Sequence, residues 1–292
     1  MSDSKKDARA RGGWLKLPAK PLSEPGTLWL KERANAPVPE LLEQLRSGEY
    51  GKPFVIDDGK TRRLHFNLDY VQSEMHLNEP CTLKFAYTRK MMAFLLFVPR
   101  PKHVVAVGLG GGSLVKFCHR ELPKTRITAI EVDANVIAFS ELFEVPQNDP
   151  RLRIIHADAA EYLQDAEEAA DAILIDGCDK HGVAPAFCSE AFYRSVAARL
   201  SRKGLMVMNI IGRATVLEQH LRCIASAFAG RVMVIRVREG GNRLVFAFKA
   251  AMYSPDWLEI QDIAKTLEEQ HGLDFGKFAR QLRASRQFQA MG

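Results

Sequence analysis

No Cys-x-x-Cys pair occurs in these 292 residues, and the five cysteines (Cys81, Cys118, Cys178, Cys188 and Cys223) are odd in number. That pattern argues against a disulfide framework or a zinc site, and it favours a reducing, cytoplasmic setting with no metal. Long apolar runs are missing as well. The longest, from Met91 to Val98, is far short of the roughly 20 residues that a helix needs to cross a bilayer. The opening stretch, MSDSKKDARARGG, is charged and has no apolar core, so it does not read as a signal peptide. Nowhere is a run of Lys and Arg interleaved with aromatic residues. A formal net charge of +6 and a pI of about 9.1 therefore speak to solubility and encounter with anions, not to nucleic-acid binding. No internal repeat is present. Neither a membrane nor a nucleic acid is expected as a partner.

Hydrophobic residues make up 47% of the chain and charged residues 26%, enough apolar surface for a sizeable core in one large domain or two unequal ones. Residues 1–25 mix Lys, Arg, Ser, Gly and Pro without periodicity and read as a mobile arm. Residues 26–98 read as a small β-rich domain with a linking helix. A short helix is expected from Val38 to Arg46. The Asp57-Asp-Gly-Lys turn between alternating segments signals a hairpin. Thr82 to Phe97 carries apolar residues at helical spacing and stops before Pro99 and Pro101. Over residues 99–250, short apolar strands alternate with amphipathic helices, beginning at Val104-Val-Ala-Val and ending in two strands joined by Glu239-Gly-Gly-Asn. A doubly wound, mostly parallel sheet with helices on both faces and an antiparallel edge is expected. Residues 251–292 read as a helical tail.

The chemistry lies at strand ends. Val104-Val-Ala-Val runs into Gly108-Leu-Gly110-Gly111-Gly112-Ser113 and then opens a helix. Glycines there let the backbone turn sharply and let a ligand approach where a Cβ would block it. The pattern lacks the last glycine of G-x-G-x-x-G, because position 113 is serine, which weakens an NAD reading. Glu131-Val-Asp133 ends the next strand, where a carboxylate can accept hydrogen bonds from both ribose hydroxyls. The third strand ends in His156-Ala-Asp158-Ala159. Asp158 can take an adenine amino group, or it can cap the helix that follows. The fourth ends in Ile175-Asp176-Gly177-Cys178-Asp179-Lys180-His181. Asp176 and Asp179 can orient a protonated amine and, if one has a raised pKa, remove its proton; the alternative is an Asp-rich turn serving local hydrogen bonds. Cys178 reads as a small buried residue rather than a nucleophile, and His181 as a candidate base or, preferably, an exposed loop histidine.

Together these residues resemble the spermidine synthase family, the polyamine aminopropyltransferases, over about residues 50–250. The resemblance includes Leu68-Asp69-Tyr-Val-Gln72, the glycine loop, Glu131-Val-Asp133, Asp149-Pro150-Arg151, Asp158-Ala159, Asp176-x-x-Asp179 and Ser189-Glu-Ala-Phe192-Tyr193. It implies a Rossmann-like class I S-adenosylmethionine methyltransferase fold preceded by a small N-terminal β domain. It also implies a donor site at Gln72, Gly108, Gly110, Gly112, Glu131, Asp158 and Ala159, catalytic roles for Asp176 and Asp179, and a homodimer as one option. Two departures stand out. The family's loop reads Gly-Gly-Gly-Asp-Gly, and its Asp holds the aminopropyl ammonium of the decarboxylated donor; here that position is Ser113. The family's Tyr-His-Glu segment is replaced by Phe85-Ala-Tyr87-Thr-Arg89-Lys90. The loop and Met208-Asn209 also resemble a spermidine-synthase-like branch of methyltransferase-like proteins. The preferred expectation is methyl transfer from S-adenosylmethionine to an amine, on a small molecule or a protein. The alternatives are a genuine spermidine synthase using decarboxylated S-adenosylmethionine and putrescine, and a non-catalytic nucleoside-binding protein.

Overall fold

The Asp57-Asp-Gly-Lys turn folds as its residues dictate. Asp57 Oδ1 accepts from the Gly59 amide at 2.8 Å, Asp58 Oδ1 accepts from the Lys60 amide at 2.8 Å, and Gly59 takes the left-handed φ of +84°. In the computed structural model, which describes residues 13–165, 168–179, 182–183, 187–250 and 255–285, this turn joins two strands of a five-stranded antiparallel sheet. Its strands are β1 (Leu15–Pro18), β2 (Thr27–Leu30), β3 (Phe54–Asp57), β4 (Thr61–His65) and β5 (Val71–His76), paired in chain order. Helix α1 (Val38–Ser47) buries Leu41 and Leu45 against Leu15, Leu28, Leu30, Phe54 and Ile56 of the sheet. Each such fully buried aliphatic side chain stabilises by about 1.5–3 kcal/mol.

The expected arm therefore needs correction over residues 13–25. Trp14 and Leu15 are buried, β1 pairs with β2, and the Trp14 ring lies 4.6 Å from that of Phe139. Lys16 interrupts the apolar content of the segment in the sequence, yet the ammonium groups of Lys16 and Lys31 sit 3.9 Å and 4.3 Å over the Trp29 and Trp14 rings, a cation–π arrangement. Residues 1–12 lie outside the described residues. The compact unit built on this sheet runs through Lys84 and includes Gly110–Ser113 and Asp133–Pro146.

The second unit holds a seven-stranded sheet in the order β13-β14-β12-β9-β6-β7-β8. Its strands are β6 (His103–Val107), β7 (Arg126–Glu131), β8 (Leu152–His156), β9 (Ala170–Ile175), β12 (Leu200–Ile210), β13 (Val232–Arg236) and β14 (Arg243–Phe248). Two two-residue strands, β10 (Cys178–Asp179) and β11 (Gly182–Val183), pair separately, and of these four residues only the backbone is described. The five strands from β8 to β12 run parallel, and β14 is antiparallel to both β12 and β13. The antiparallel edge and the mostly parallel sheet are as expected. β6, β7 and β9 bury their apolar side chains on both faces, because helices cover both.

The helices are α2 (Ala86–Met91), α3 (Ser113–Glu121), α4 (Ala134–Ala138), α5 (Ala159–Asp165), α6 (Glu190–Arg199), α7 (Ala214–Ala227), α8 (Trp257–His271) and α9 (Phe275–Arg283). The single helix expected over Thr82–Phe97 is instead α2 followed by a 3-10 turn over Met92–Leu96, whose five residues are all buried. α6 starts on the Ser189 hydroxyl, which accepts from the Phe192 amide at 3.1 Å. α8 begins at an Asp256 cap and ends at Gly272, with a φ of +64°. Among the described residues, no helix is long and apolar enough to cross a membrane.

Candidate active site

The sheet order places the switch in strand sequence between β6 and β9, from which β7 and β8 extend one way and β12 the other. Open α/β sheets bind ligands at the carboxyl ends of strands flanking such a switch. Register then decides which residues meet there. Val107 pairs with Ile130 and with Ile175, and Ile175 pairs with Met208. One residue further along each strand stand Gly108, Glu131, Asp176 and Asn209. The contact at Gly108 is close: its φ is +89°, and a Cβ there would lie 2.5 Å from the Asp176 carbonyl oxygen. Glycine is required by conformation and by space.

Glu131 is buried, and its Oε2 accepts from the Leu109 amide at 2.9 Å. The first turn of the glycine loop thus fixes the rotamer of the carboxylate on the neighbouring strand. Asp158 Oδ1 accepts from the Ala160 and Glu161 amides at 2.7 Å and 3.2 Å. The capping alternative for Asp158 is therefore realised through Oδ1, and the cap sets where the side chain sits. Ala159 is buried at the first turn of α5. His156 lies alongside, its Nε2 3.0 Å from the Val132 carbonyl.

Asp176 receives two side-chain hydrogen bonds within the second unit. Tyr87 Oη donates to its Oδ2 at 3.0 Å, and Asn209 Nδ2 donates to its Oδ1 at 2.8 Å. Asn209 Oδ1 accepts in turn from Asn242 Nδ2 at 2.9 Å. By exposed area Asp176 is half-buried, but protein atoms crowd its carboxylate, and that desolvation raises its pKa while the Asn209 and Tyr87 hydrogen bonds oppose the rise. The net direction is upward, which is what a base that must accept a proton from an ammonium group needs. Its expected partner Asp179 lies outside the residues whose side chains are described, as does Cys178, and Lys180 and His181 lie outside the described residues altogether.

Gln72, Gly110 and Gly112 belong to the other unit. Gln72 is half-buried on β5, while its neighbour Ser73 points the opposite way and is buried, as strand alternation requires. Ser73 Oγ lies 3.4 Å from Ser113 Oγ. A Cβ on Gly111 would come within 2.6 Å of the same Ser73 oxygen, and one on Gly112, whose φ is +69°, within 2.4 Å of Val145 Cγ2. Ser113 is thus tied to β5 by a neutral hydroxyl pair.

Tyr87, Asn209 and Asn242 were not among the expected site residues. Tyr87 stands in the segment that departs from the family pattern, and Asn209 follows an apolar strand, so both carried some signal. Asn242 carried none, because Gly-Gly-Asn reads as turn chemistry. A second cluster is inert. Cys188 Sγ is 3.4 Å from His220 Nε2, but burial raises the thiol pKa and lowers that of the imidazole, so both are neutral. Among the described residues, no group of three or more His, Cys, Asp and Glu could hold a metal ion.

The spermine/spermidine synthase domain matches residues 84–236. A polyamine aminopropyltransferase of Neisseria meningitidis is 35% identical over 246 residues, covering 83% of this chain and 94% of that protein. The Mus musculus eEF1A lysine and N-terminal methyltransferase is 28% identical over 189 residues, 60% of this chain but 27% of that protein. A solved structure of a probable spermidine synthase from Corynebacterium glutamicum has the same fold, with a TM-score of 0.63 at 20% identity over 84% of this chain and 96% of that one. The chain belongs to the spermine/spermidine synthase family of transferases.

Proposed function

We propose that this family member moves an aminopropyl group from decarboxylated S-adenosylmethionine to the amine of a polyamine precursor such as putrescine, with Asp176 as the base. The observation that carries the aminopropyl reading is the 35% identity to a polyamine aminopropyltransferase along 94% of that protein's length; the base is read from the Asp176 carboxylate, held between Tyr87 and Asn209 with its pKa raised by desolvation. The sulfonium donor supplies an electrophilic carbon. An acceptor arriving as an ammonium ion hydrogen-bonds to Asp176 and passes it one proton. The freed lone pair forms the new C–N bond as the C–S bond breaks and its electrons leave with methylthioadenosine. The protein's part is to place the nitrogen and to hold the proton.

The residues at the strand ends suit such a donor chemically. Glu131 and Asp158 are acceptors only, and a nucleoside presents ribose hydroxyls and an adenine amino group as donors. Glu131 would hold the ribose, and Asp158 with Ala159 the adenine. Gln72, Gly108, Gly110 and Gly112 are assigned to the donor, and Asp179 to the acceptor ammonium, by family resemblance.

Methyl transfer from intact S-adenosylmethionine is the second reading. Ser113 favours it, because a hydroxyl paired with Ser73 at 3.4 Å neither attracts an aminopropyl ammonium nor repels a carboxylate. One experiment separates the two. The protein is incubated with a panel of amines and each donor in turn, and the nucleoside products are resolved by chromatography. Methylthioadenosine from the decarboxylated donor with putrescine is the expected result. S-adenosylhomocysteine from the intact donor, with no methylthioadenosine, overturns it in favour of methyl transfer. D176N should lower turnover with either donor by about 100-fold or more.

A further inference from the structure

We infer that Asn242 is a positioning residue for Asp176: its side-chain amide fixes the Asn209 amide in the one orientation that presents an NH2 group to the carboxylate. This rests on the reading of Asp176 as the base. It goes beyond it by assigning a function to the turn between β13 and β14, from which no residue reaches Asp176 directly.

The argument is one of hydrogen-bond polarity. A side-chain amide has a donor end and an acceptor end of nearly the same shape, so shape alone does not choose between its two orientations. Asn209 is 4% exposed and Asn242 is 6% exposed, so neither orientation can be rescued cheaply by solvent. Asn242 Nδ2 can only donate, and it lies 2.9 Å from Asn209 Oδ1. The other end of Asn209, its NH2, is thereby left to face Asp176 Oδ1 at 2.8 Å. Turning Asn209 over would set two NH2 groups against each other and an amide oxygen against a carboxylate. Both bonds would be lost in a buried place.

The turn is built to hold Asn242 there. The Val237 amide donates to the Asn242 carbonyl at 2.9 Å and closes the hairpin. Gly240 and Gly241 take φ values of +78° and +75°, and a Cβ on Gly240 would come within 2.8 Å of Asn242 Oδ1. The Gly-Gly-Asn sequence therefore does two things: it makes the turn, and it clears the space in which the Asn242 amide sits. β12 and β14 are in register at Ile210 and Arg243, which brings the end of the turn beside the end of the strand that carries Asn209.

An NH2 group donates to an ionised carboxylate and gives nothing to the proton of a neutral one, so the relay favours the ionised, proton-accepting form. Without Asn242, the Asn209 amide is free to turn and accept a hydrogen bond from protonated Asp176. The variants to compare are N242A, which removes the donor, and N242D, which puts an acceptor in its place and so drives the turn. Titration of Asp176 is followed by carboxyl-carbon NMR on labelled protein, and kcat is measured against pH. The expected result is an upward shift of the Asp176 titration and of the acid limb of kcat by about one pH unit in N242A, tenfold in the protonation equilibrium, and by more in N242D. Donor KM and the alkaline plateau of kcat should change less than about threefold. An unmoved titration in a folded N242A overturns the inference. Should N242A fail to fold, N242L, which is close to asparagine in shape but has no donor, is titrated in its place, and an unmoved titration there overturns the inference equally. The failures are distinguishable. If D176N leaves turnover intact, the base assignment falls, while the NMR titration still decides whether Asn242 governs the carboxylate.

Discussion

Replacing Tyr87 with Phe removes the hydroxyl donor to Asp176 while keeping the ring and its stacking on Phe85 at 5.8 Å. The lost bond is the 3.0 Å contact from the hydroxyl to Oδ2. Hydrogen bonds to charged groups contribute about 1.5–3 kcal/mol, and one pKa unit corresponds to about 1.4 kcal/mol. Y87F should therefore raise the Asp176 pKa by about one to two units above its already raised value. The sign follows from the direction of each contribution: burial pushes up, while Asn209 and Tyr87 push down, so deleting Tyr87 adds to the rise. With Asp176 as the proposed base, turnover would need the ionised carboxylate, and the acid limb of the kcat–pH profile should move up by the same amount. Stability responds in parallel. Native Asp176 binds its proton more tightly than the unfolded chain does, so stability is lost as pH rises from the unfolded carboxylate value of about 3.9 through the native value. Y87F widens that window upward. Its deficit relative to the parent should be small in acid and reach about 1.5–3 kcal/mol above the variant's pKa. Denaturant unfolding at a series of pH values measures this directly. A pH-independent deficit, or an unmoved acid limb, would refute the assignment of Asp176 and Tyr87 as a coupled pair.

Three further outcomes are expected. G108A puts a Cβ 2.5 Å from a backbone oxygen at a φ of +89°, and the strain should cost about 3 kcal/mol or more, seen as a Tm drop of several degrees in calorimetry. E131A should weaken nucleoside binding by about 10- to 100-fold in titration calorimetry, as the loss of one charge-assisted hydrogen bond or more implies; unchanged affinity removes Glu131 from the donor site. S113D should shift donor preference toward the decarboxylated form by about 10-fold, because a new carboxylate attracts an ammonium and repels a carboxylate; competition between the two donors reads that ratio, and an unaltered ratio means that position 113 does not face the transferred group.

What the sequence made legible follows from the range of the interactions involved. Strand periodicity and the glycine loop are local, and the doubly wound sheet with its antiparallel edge came out as expected. Gly108, Glu131 and Asp176 could be placed together in advance because each follows an apolar strand, and the register brings those strand ends side by side. The Asp158 cap is also local, but its two readings turn out to use one side chain, with Oδ1 engaged by the helix amides. β1 and β5 were missed for a different reason. Leu15-Lys-Leu-Pro is short, and Val71-Gln-Ser-Glu-Met-His keeps alternation with a serine on its buried face, so neither stands out from polar surroundings. The Asn209–Asn242 pair depends on β12–β14 register and on the polarity of an amide, and no pattern in the sequence encodes either.

The division between what transfers and what accepts also has a physical basis. Proton removal from an amine is needed whether the moving group is methyl or aminopropyl, so the proposed base, Asp176 with its Tyr87 and Asn209 bonds, would serve both reactions without change. Selection of the donor must rest on charges that see the one part in which the donors differ, a carboxylate present or absent. At position 113 this chain offers a neutral hydroxyl pair instead of an acid. In the second unit, burial and the cations of Lys277, Arg238 and Arg89 depress the pKa of Lys90, three residues along α2 from Tyr87, with Glu239 in opposition. These fixed charges, Glu239 among them, would act on the far end of an acceptor, so the second charge of the acceptor is the variable to test. The acceptor panel should therefore include amines with and without a carboxylate, at low and high salt. Screening weakens exposed charge selection within about 10 Å at 0.1 M salt, so a preference that vanishes with salt traces to these cations, and one that persists traces to the fit around Asp176.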